Sequence, residues 1–374
     1  MPPEQIDETV EVGLAGCPHC GGAVADVSRV EQVIEELPVV RPHVTRVVTY
    51  RGRCGRCGWV RSHHPLQVST ATGAAGTQIG PRALGTAMHL LQEGLTRRKV
   101  CGVLRELFGL RLTPGGLVQA THRMGRRLAQ SYDALQRQVR ASTSIHVDET
   151  SWWVGGPKWW LWVFTRPELT LYRVVPARAR EVIKQTLGPD YAGVLVSDCL
   201  VIYDNVCARQ QKCYAHHLKA IGQAIEQHPR GGEGFLQAVR HLLKSALCLK
   251  PIWPELPARA RQKIRENLVA HARDLLRAPP EHPLEAGVAQ RLRKQEDHLF
   301  TFLDYPEVEA TNNLAERQLR PAVIARKISC GNRTQRGAHT WEILASLAAT
   351  ARQNARAFRE LVAHAALLVP EEGR

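Results

Sequence analysis

Three carboxylates in this chain have the types and the spacing needed to hold divalent metal ions. Asp148 follows the short run SIHV at residues 144–147, and Asp198 follows GVLVS at residues 193–197. Hard cations such as Mg²⁺ and Mn²⁺ prefer carboxylate oxygens. Two such ions about 3.5–4 Å apart can activate a water or hydroxyl and stabilise the leaving oxygen in phosphodiester cleavage. With Glu316 as the third ligand, the sequence predicts a two-ion site in which Asp148 bridges the ions, Asp198 completes one and Glu316 the other.

Other carboxylates compete for the two aspartate positions. Glu149 is adjacent to Asp148, and Asp204 lies soon after Asp198, inside a segment predicted to begin a helix at residues 200–205. Aspartates at strand ends also serve as turn or cap residues, so each position has a purely structural alternative.

Glu316 has its own structural alternative. The spacing Asn313-x-x-Glu316 is that of a capping box, in which the glutamate only bonds back to the start of its helix. Helical spacing also places Asn312 and Arg320 on the face of Glu316, and polar neighbours of this kind suit phosphate contact. Both interpretations stay open at this point.

The elements predicted around these carboxylates follow the order β-β-β-α-β. The runs at residues 144–147, 158–164, 169–175 and 193–197 read as strands, and residues 179–187 as the helix before the fourth strand. A fifth strand is predicted at residues 211–215. This order indicates a ribonuclease-H-like core, in which the first and fourth strands lie side by side. Residues distant in the sequence then share one metal site, and Glu316 arrives on a later helix.

Charge and composition limit the classes of partner that the chain is expected to have. The chain has 374 residues, a formal charge of +15 and 44% hydrophobic residues. An excess of Lys and Arg favours polyphosphate partners through counterion release. No apolar run reaches the roughly 20 residues that span a bilayer, and the acidic N-terminus lacks the pattern of a signal peptide. We therefore expect a soluble, cytoplasmic protein.

Four of the ten cysteines form two Cys-x-x-Cys pairs. Cys17 and Cys20 form the first pair, and Cys54 and Cys57 the second. This spacing predicts a structural, tetrahedral Zn²⁺ site in a zinc ribbon, with strands at residues 39–40 and 44–50 joining the pairs. The alternatives are free cysteines in two turns, a redox pair, or substitution of one cysteine by a neighbouring histidine, namely His19, His63 or His64.

A pair of helices is predicted ahead of the carboxylates, after a small, glycine-rich linker at residues 69–80. Thr96 is a predicted N-cap and Gly109 the stop of the first helix, and Thr113 caps the second. Two helices joined by a short turn indicate a helix-turn-helix. A plain helical hairpin packed on the core is the alternative. The exposed basic residues of the second helix favour DNA, namely Arg123, Arg126 and Arg127.

The sequence divides on these patterns into eight segments. They are a tail (1–15), a zinc-ribbon-like domain (16–68), the linker (69–80), the helix-turn-helix domain (81–140), the first part of the core (141–220), an all-helical insertion (221–299), the second part of the core carrying Glu316 (300–364), and a tail (365–374).

Four motifs carry a family resemblance. HVDETSWW, VSDCLVIYD, CYAHHLK and above all NNLAERQLRPAVIARKISCGNRT resemble the motifs of the DDE transposases of insertion-sequence family sixty-six. The resemblance covers roughly residues 17–361. It implies an α/β, ribonuclease-H-like enzyme that cuts transposon ends and joins the freed 3′-hydroxyls to target DNA. Asp148, Asp198 and Glu316 are the implied triad, with two Mg²⁺ or Mn²⁺ ions.

The same resemblance implies partners, and proximity to the proposed active site predicts further contacts. Double-stranded DNA, a homo-oligomer paired on DNA ends, accessory proteins encoded by the element and nucleoid association are expected. His216 and His217 are candidates to position DNA or bind metal. The predicted DNA contacts after the core are Asn312, Arg320, Arg326, Lys327, Arg333 and Arg336. A DNA-binding regulator without turnover and a two-metal nuclease without strand transfer are the alternatives.

Overall fold

The structure is a computed structural model that describes residues 2–67, 78–232, 234–278 and 280–368. Most of the predicted linker at 69–80 and the last residues of the C-terminal tail lie outside the described residues. The chain divides into two units, Met1–His43 and Val44–Arg374. In the first unit, the N–H of Gly21 donates to the carbonyl of Cys17 over 2.8 Å, which closes a turn around Cys17 and Cys20.

The second unit begins with an antiparallel hairpin of β1 (Arg51–Cys54) and β2 (Gly58–Arg61). Its turn contains the second cysteine pair, and Gly58 follows it with φ of +75°, a conformation that suits glycine. The strands predicted at residues 39–40 and 44–50 are wrong. Val39 and Val44 are 88% and 82% exposed, so their side chains bury no surface that would favour a strand.

A five-stranded mixed sheet forms the centre of the second unit. Its order is β5-β4-β3-β6-β7, with antiparallel pairs among β3, β4 and β5 and parallel pairs on the β6 side. The first and fourth strands of the sheet, β3 and β6, are therefore neighbours, as predicted. The strands are β3 (Ser144–Trp152), β4 (Trp159–Arg166), β5 (Leu169–Val175), β6 (Val194–Ser197) and β7 (Gln210–Lys212).

Helices cover both faces of this sheet. One face packs on the N-terminal helices through residues such as Ile145 and Val147, and the other packs on α11 and α12 through residues such as Val163 and Val174. The helices concerned are α1 (Pro81–Gln92), α2 (Arg97–Phe108), α3 (Pro114–Arg127), α4 (Ala129–Arg140), α5 (Arg180–Leu187), α11 (Asn313–Ser329), α12 (Gln335–Gln353) and α13 (Phe358–Leu367).

The edge strand β5 is closed by side chains of α12. The backbone N–H groups of Thr170, Tyr172 and Val174 donate to Thr350 Oγ1, Ser346 Oγ and Glu342 Oε2 over 3.0, 2.8 and 2.7 Å. The acceptors are four residues apart on the helix and the donors two apart on the strand, so the two periodicities match along the edge. The helix thereby satisfies backbone donors that would otherwise be open to another strand.

The capping signals of the helix pair are confirmed. Thr96 accepts from the N–H of Lys99, Gly109 ends α2 with φ of +63°, and Thr113 accepts from the N–H of Gly116. However, α3 is not a free-standing recognition helix. His122 Nδ1 lies 2.7 Å from Thr340 Oγ1 of α12, which ties α3 to the core. The pair therefore packs as a helical hairpin on the sheet domain, and a DNA-reading role for it stays a prediction.

A second hydrophobic core lies among the helices that follow β7. These are α6 (Tyr214–Gln227), α7 (Phe235–Leu249), α8 (Ala258–Arg277), α9 (Pro283–Lys294) and α10 (Thr301–Asp304). One element prediction is wrong here. Residues 200–205 do not begin a helix and form only a 3₁₀ turn at Val201–Tyr203. Further along the chain, α12 and α13 are separated by a break. The division follows Ala355, whose φ of +51° does not continue a helix.

Candidate metal centre

The register of the sheet brings Asp148 and Asp198 together. In the parallel pair β3 and β6, Ile145 lies opposite Leu195 and His146 opposite Val196. The same offset, continued by two residues, places Asp148 beside Asp198, directly after β6 ends. Burial raises the pKa of Asp148 to about 7, and the negative charges of Asp198 and Glu316 contribute to this shift. Asp198 and Glu316 are thus near enough to act on Asp148, and we call the three carboxylates the acidic cluster.

Glu316 reaches this cluster from the first turn of α11. Asn312, at the start of that helix, donates from Nδ2 to the carbonyl of Val147 over 2.9 Å, and its Oδ1 lies 3.2 Å from His146 Nδ1. These bonds fix the helix start against β3, beside Asp148. The N-cap of α11 is Asn312, so Asn313 is the first helical residue and Glu316 is four residues from the cap. Among the described residues Glu316 makes no side-chain bond back to the helix start, so the capping-box alternative is not realised.

The competing residue Glu149 lies on the opposite face of β3, because successive strand residues alternate between faces. Its side chain is only 1% exposed and forms an ion pair with Arg178 at 2.7 Å. The other carboxylate oxygen accepts from the hydroxyl of Tyr203. Burial raises the pKa of Glu149, against the effects of Tyr203 and Arg178. Glu149 is therefore a structural partner of Arg178 and Tyr203, and Asp148 is the residue on the α11 face.

Asp204, the competitor of Asp198, is engaged elsewhere. Its carboxylate lies 2.7 Å from Lys294 Nζ and accepts from Gln295 Nε2 over 3.0 Å. Burial acts to raise the pKa of Asp204, but the bonds from Lys294 and Gln295 and the charge of the fully buried Lys212 bring it below its usual range. Asp204 thus links β7 to α9 through ion pairs with Lys212 and Lys294.

Two further side chains belong to the cluster, and only one of them was predicted. Cys213 follows β7 directly, and His216 lies in the first turn of α6. One potential ligand atom each from Cys213, His216 and Glu316 lie within 4.8 Å of one another. Contact with Cys213 raises the pKa of His216, and the negative charges of Asp198 and Glu316 add to this effect. The signal for Cys213 was its Cys-x-x-His spacing at a helix start, which sequence reasoning missed.

His217, by contrast, is a packed residue. It is 1% exposed, and its Nε2 atom lies 3.5 Å from Cys199 Sγ. Burial and the charge of Arg291 lower the pKa of His217 to about 3. The neighbouring histidines therefore differ in kind, since only His216 faces the carboxylates.

The predicted DNA-contact residues from the start of α11 to the first turn of α12 separate into two groups. Asn312 is 1% exposed and bonded to β3, so the predicted DNA contact for this residue is wrong. Arg326 bonds to Thr150 Oγ1 and to Ser151, across the α11 face of β3. The remaining residues are exposed, namely Arg320, Lys327, Arg333 and Arg336.

Arginines from three helices converge near the start of α12. Burial lowers the pKa of Arg97, and the charge of Arg333 contributes. Burial also lowers the pKa of His122, with contributions from Arg336, Arg97 and Arg126. None of these arginines has a carboxylate within ion-pair distance among the described residues. We name Arg97, Arg126, Arg333 and Arg336 the arginine cluster. Arg97 was missed because nothing in its sequence context sets it apart.

The cysteine pairs show local features of metal ligands. Backbone hydrogen bonds from His19 and Cys20 lower the pKa of Cys17, and backbone hydrogen bonds from Cys57 and Arg56 lower the pKa of Cys54. A lowered pKa favours the thiolate, which is the form that binds metal. The two pairs belong to different units, and a four-cysteine Zn²⁺ site stays a prediction.

The protein has an α/β fold. Its acidic cluster lies where the parallel strands β3 and β6 meet the start of α11. The model of the family described as "Transposase IS66 family" matches residues 76–340, which is more than half of the chain. The protein therefore belongs to that transposase family.

One curated relative resembles the chain over most of its length. It is an uncharacterized protein, y4qI, from Sinorhizobium fredii (strain NBRC 101917 / NGR234). It is 23% identical over 406 residues, which cover 94% of this chain and 70% of the relative.

The structure also bears on membrane association. Among the described residues, no helix combines the length and the apolar character that crossing a bilayer requires.

Proposed function

We propose that this protein is a DNA transposase that cleaves the ends of its element and joins the freed 3′-hydroxyls to target DNA. The core is proposed to be ribonuclease-H-like, on the order of its five strands. The observation that carries the proposal is the convergence of Asp148, Asp198 and Glu316 at one end of the β3 and β6 pair. Membership of the transposase family agrees with this assignment.

The donor set fits divalent ions. Burial raises the pKa of Asp148, and the charges of Asp198 and Glu316 add to this effect, so a divalent cation would offset the repulsion among the three carboxylates. When bound, two Mg²⁺ or Mn²⁺ ions would activate the attacking oxygen and stabilise the leaving one. Asp148, Asp198 and Glu316 would hold them. The chain's own part is to keep these side chains in place, through the β3 and β6 register and through Asn312.

The surroundings suit a polyanionic substrate. The arginine cluster lacks carboxylate partners among the described residues, and α11 carries Arg320 and Lys327 on its exposed surface. A DNA backbone would supply the missing negative charge, and such contacts position a duplex without reading its sequence. The helix pair, with Arg123 and Arg127, is proposed to take part in end binding.

Other parts of the assignment are proposals of the same kind. Cys17, Cys20, Cys54 and Cys57 are proposed to bind one structural Zn²⁺. Pairing of two DNA ends by a homo-oligomer, accessory proteins encoded by the element and nucleoid association are proposed from the family.

The test is cleavage and strand transfer on a labelled duplex carrying the element's own end, with Mn²⁺ or Mg²⁺. Asp148→Asn and Asp198→Asn should each abolish both steps while DNA binding is retained. Asp190→Asn, at an exposed position, is the matched control and should behave as wild type. Cutting without joining would indicate a nuclease. A wild-type protein that binds the end but does neither would indicate a regulator.

A further inference from the structure

Cys213 and His216 bring soft ligands to a site that otherwise contains carboxylates alone. With Glu316 they form the one group of three such side chains, among the described residues, whose potential ligand atoms all lie within 4.8 Å of one another. We propose that Cys213, His216 and Glu316 form a Zn²⁺-binding site that shares Glu316 with the proposed Mg²⁺ or Mn²⁺ pair. This inference deepens the proposed function and rests on it only for the role of Glu316 in catalysis.

The ligand types select the metal. A thiolate, an imidazole and a carboxylate are the ligands of tetrahedral Zn²⁺, whereas Mg²⁺ takes oxygen ligands almost exclusively. Zinc bond lengths hold the ligand atoms about 3–4 Å apart, so the atoms that now lie within 4.8 Å need to approach by only about 1 Å. Three protein ligands leave one position of the tetrahedron for water.

The surroundings of the group are those of metal ligands. Cys213 is fully buried, and its Sγ accepts a hydrogen bond from the N–H of Asn312 at 3.1 Å. The Nδ1 atom of His216 is buried and lacks a hydrogen-bond partner among the described residues. A buried ring nitrogen without a partner is costly unless something binds it. On metal binding, the thiol proton of Cys213 and any imidazolium proton of His216 leave to solvent.

The consequence of this site is competition for Glu316. A Zn²⁺ ion bound by Cys213, His216 and Glu316 occupies the carboxylate that the Mg²⁺ or Mn²⁺ pair requires. The site is therefore expected to make the enzyme sensitive to inhibition by Zn²⁺, in a manner that depends on Cys213.

The experiment measures metal binding to the full chain, without DNA, using Co²⁺ as a spectroscopic probe for Zn²⁺. Wild type should show thiolate-to-cobalt absorption, and Cys213→Ser should lose one equivalent of Co²⁺ together with its share of that absorption. His216→Gln should weaken the same equivalent at least about tenfold. Cobalt held by the N-terminal cysteines is common to all variants and cancels in the difference.

Cys199→Ser is the matched control. Cys199 also lies against a histidine, His217, but it is not part of the group. This variant should bind Co²⁺ as wild type does. Circular dichroism melting of each variant verifies folding, and His216→Gln tests the site separately if Cys213→Ser does not fold. An unchanged Co²⁺ stoichiometry and spectrum in folded Cys213→Ser would overturn the inference.

The experiment distinguishes failure of the proposed Zn²⁺ site from failure of the proposed function. Asp148→Asn should keep the cobalt absorption that depends on Cys213, because Asp148 is not in the group, yet it should lose DNA cleavage. Loss of the absorption in Cys213→Ser with no cleavage by wild type would support the metal site and contradict the enzyme. Cleavage that needs Asp148, with no cobalt site at Cys213, would support the enzyme alone.

Discussion

Asp148 is held in an environment that favours its neutral form. Burial, together with the charges of Glu149, Asp198 and Glu316, raises its pKa to about 7. A divalent cation binds the ionised form, so protons and metal compete at this residue. We expect Mg²⁺ affinity to rise from about pH 6 to about pH 8 and then to level off, because the ionised fraction saturates above the pKa. Calorimetric titration with Mg²⁺ between pH 6 and pH 8 measures this change in affinity. A flat profile would contradict the environment described for Asp148.

The same shift has a consequence for the metal-free protein. A carboxyl group whose folded pKa lies above its unfolded value binds more protons when folded, so its contribution to stability is lost as pH rises from about 4 to 7. Asp148→Asn removes this dependence. We expect the stability of the metal-free variant relative to wild type to increase between pH 5 and pH 8 by on the order of 2–3 kcal/mol, because wild type loses most of this contribution over that range. Urea unfolding at both pH values, with EDTA present, provides the comparison.

Unlike Asp148, Glu149 is expected to contribute to stability and not to metal binding. It is buried on the other face of β3, and its two carboxylate oxygens are bonded to Arg178 and Tyr203. Glu149→Gln weakens a charge-assisted pair in a buried position, so we expect a loss of about 1–3 kcal/mol of stability. Metal affinity should change little. Denaturant unfolding and Mg²⁺ titration of the same sample distinguish the two neighbours, and a stable variant with impaired metal binding would reverse their assigned roles.

At the scale of elements, the match between β5 and α12 explains why the antiparallel edge of the sheet is not open. Glu342, Ser346 and Thr350 lie on one face of the helix and meet every second N–H of the strand. Helix and sheet are thus joined by hydrogen bonds as well as by apolar contact. The arrangement also fixes α12, whose first turn contributes Arg336 to the arginine cluster.

The contact of α1 with α13 depends on a glycine. A Cβ atom at Gly85 would lie 2.2 Å from the backbone carbonyl oxygen of Arg359, so the helices would have to separate. We expect Gly85→Ala to destabilise the protein at the upper end of the about 1–3 kcal/mol typical of overpacking. Gly102, inside α2, has nothing within 4 Å of its Cβ position. Gly102→Ala should therefore stabilise the protein by about 0.5–1 kcal/mol. Thermal melting of both variants tests the expected loss of stability in Gly85→Ala and the expected gain in Gly102→Ala.

At the scale of the whole molecule, the formal charge of +15 favours a polyanionic partner. Arg97, Arg333 and Arg336 come from separate segments and lack carboxylate partners among the described residues. Each change to alanine should weaken DNA binding and reduce the salt-dependence slope by about 1, as expected for a lost phosphate contact. Arg105→Ala is the control, because Arg105 already pairs with Glu106 at 3.0 Å. Equal slopes for all variants would exclude the arginine cluster from the interface.

Much of the sheet domain was predictable because its signals are local. The strand at residues 169–175 and the caps Thr96, Gly109 and Thr113 follow from alternation and from side-chain or glycine chemistry within a few residues. The predictions that fail depend on distant partners. Residues 39–40 and 44–50 have strand-forming side chains but no core against them.

The sequence by itself determined which residues could bind metal and in which order the strands follow, because residue type and periodicity are properties of short stretches of the chain. Only the tertiary structure places Asp148 and Glu149 in different surroundings, because successive strand residues alternate between faces and only the face of Asp148 meets α11. It also decided that Asn312 anchors a helix and that Cys213 and His216 join Glu316. Those outcomes depend on register and helix docking, which are set by contacts between residues far apart in the chain.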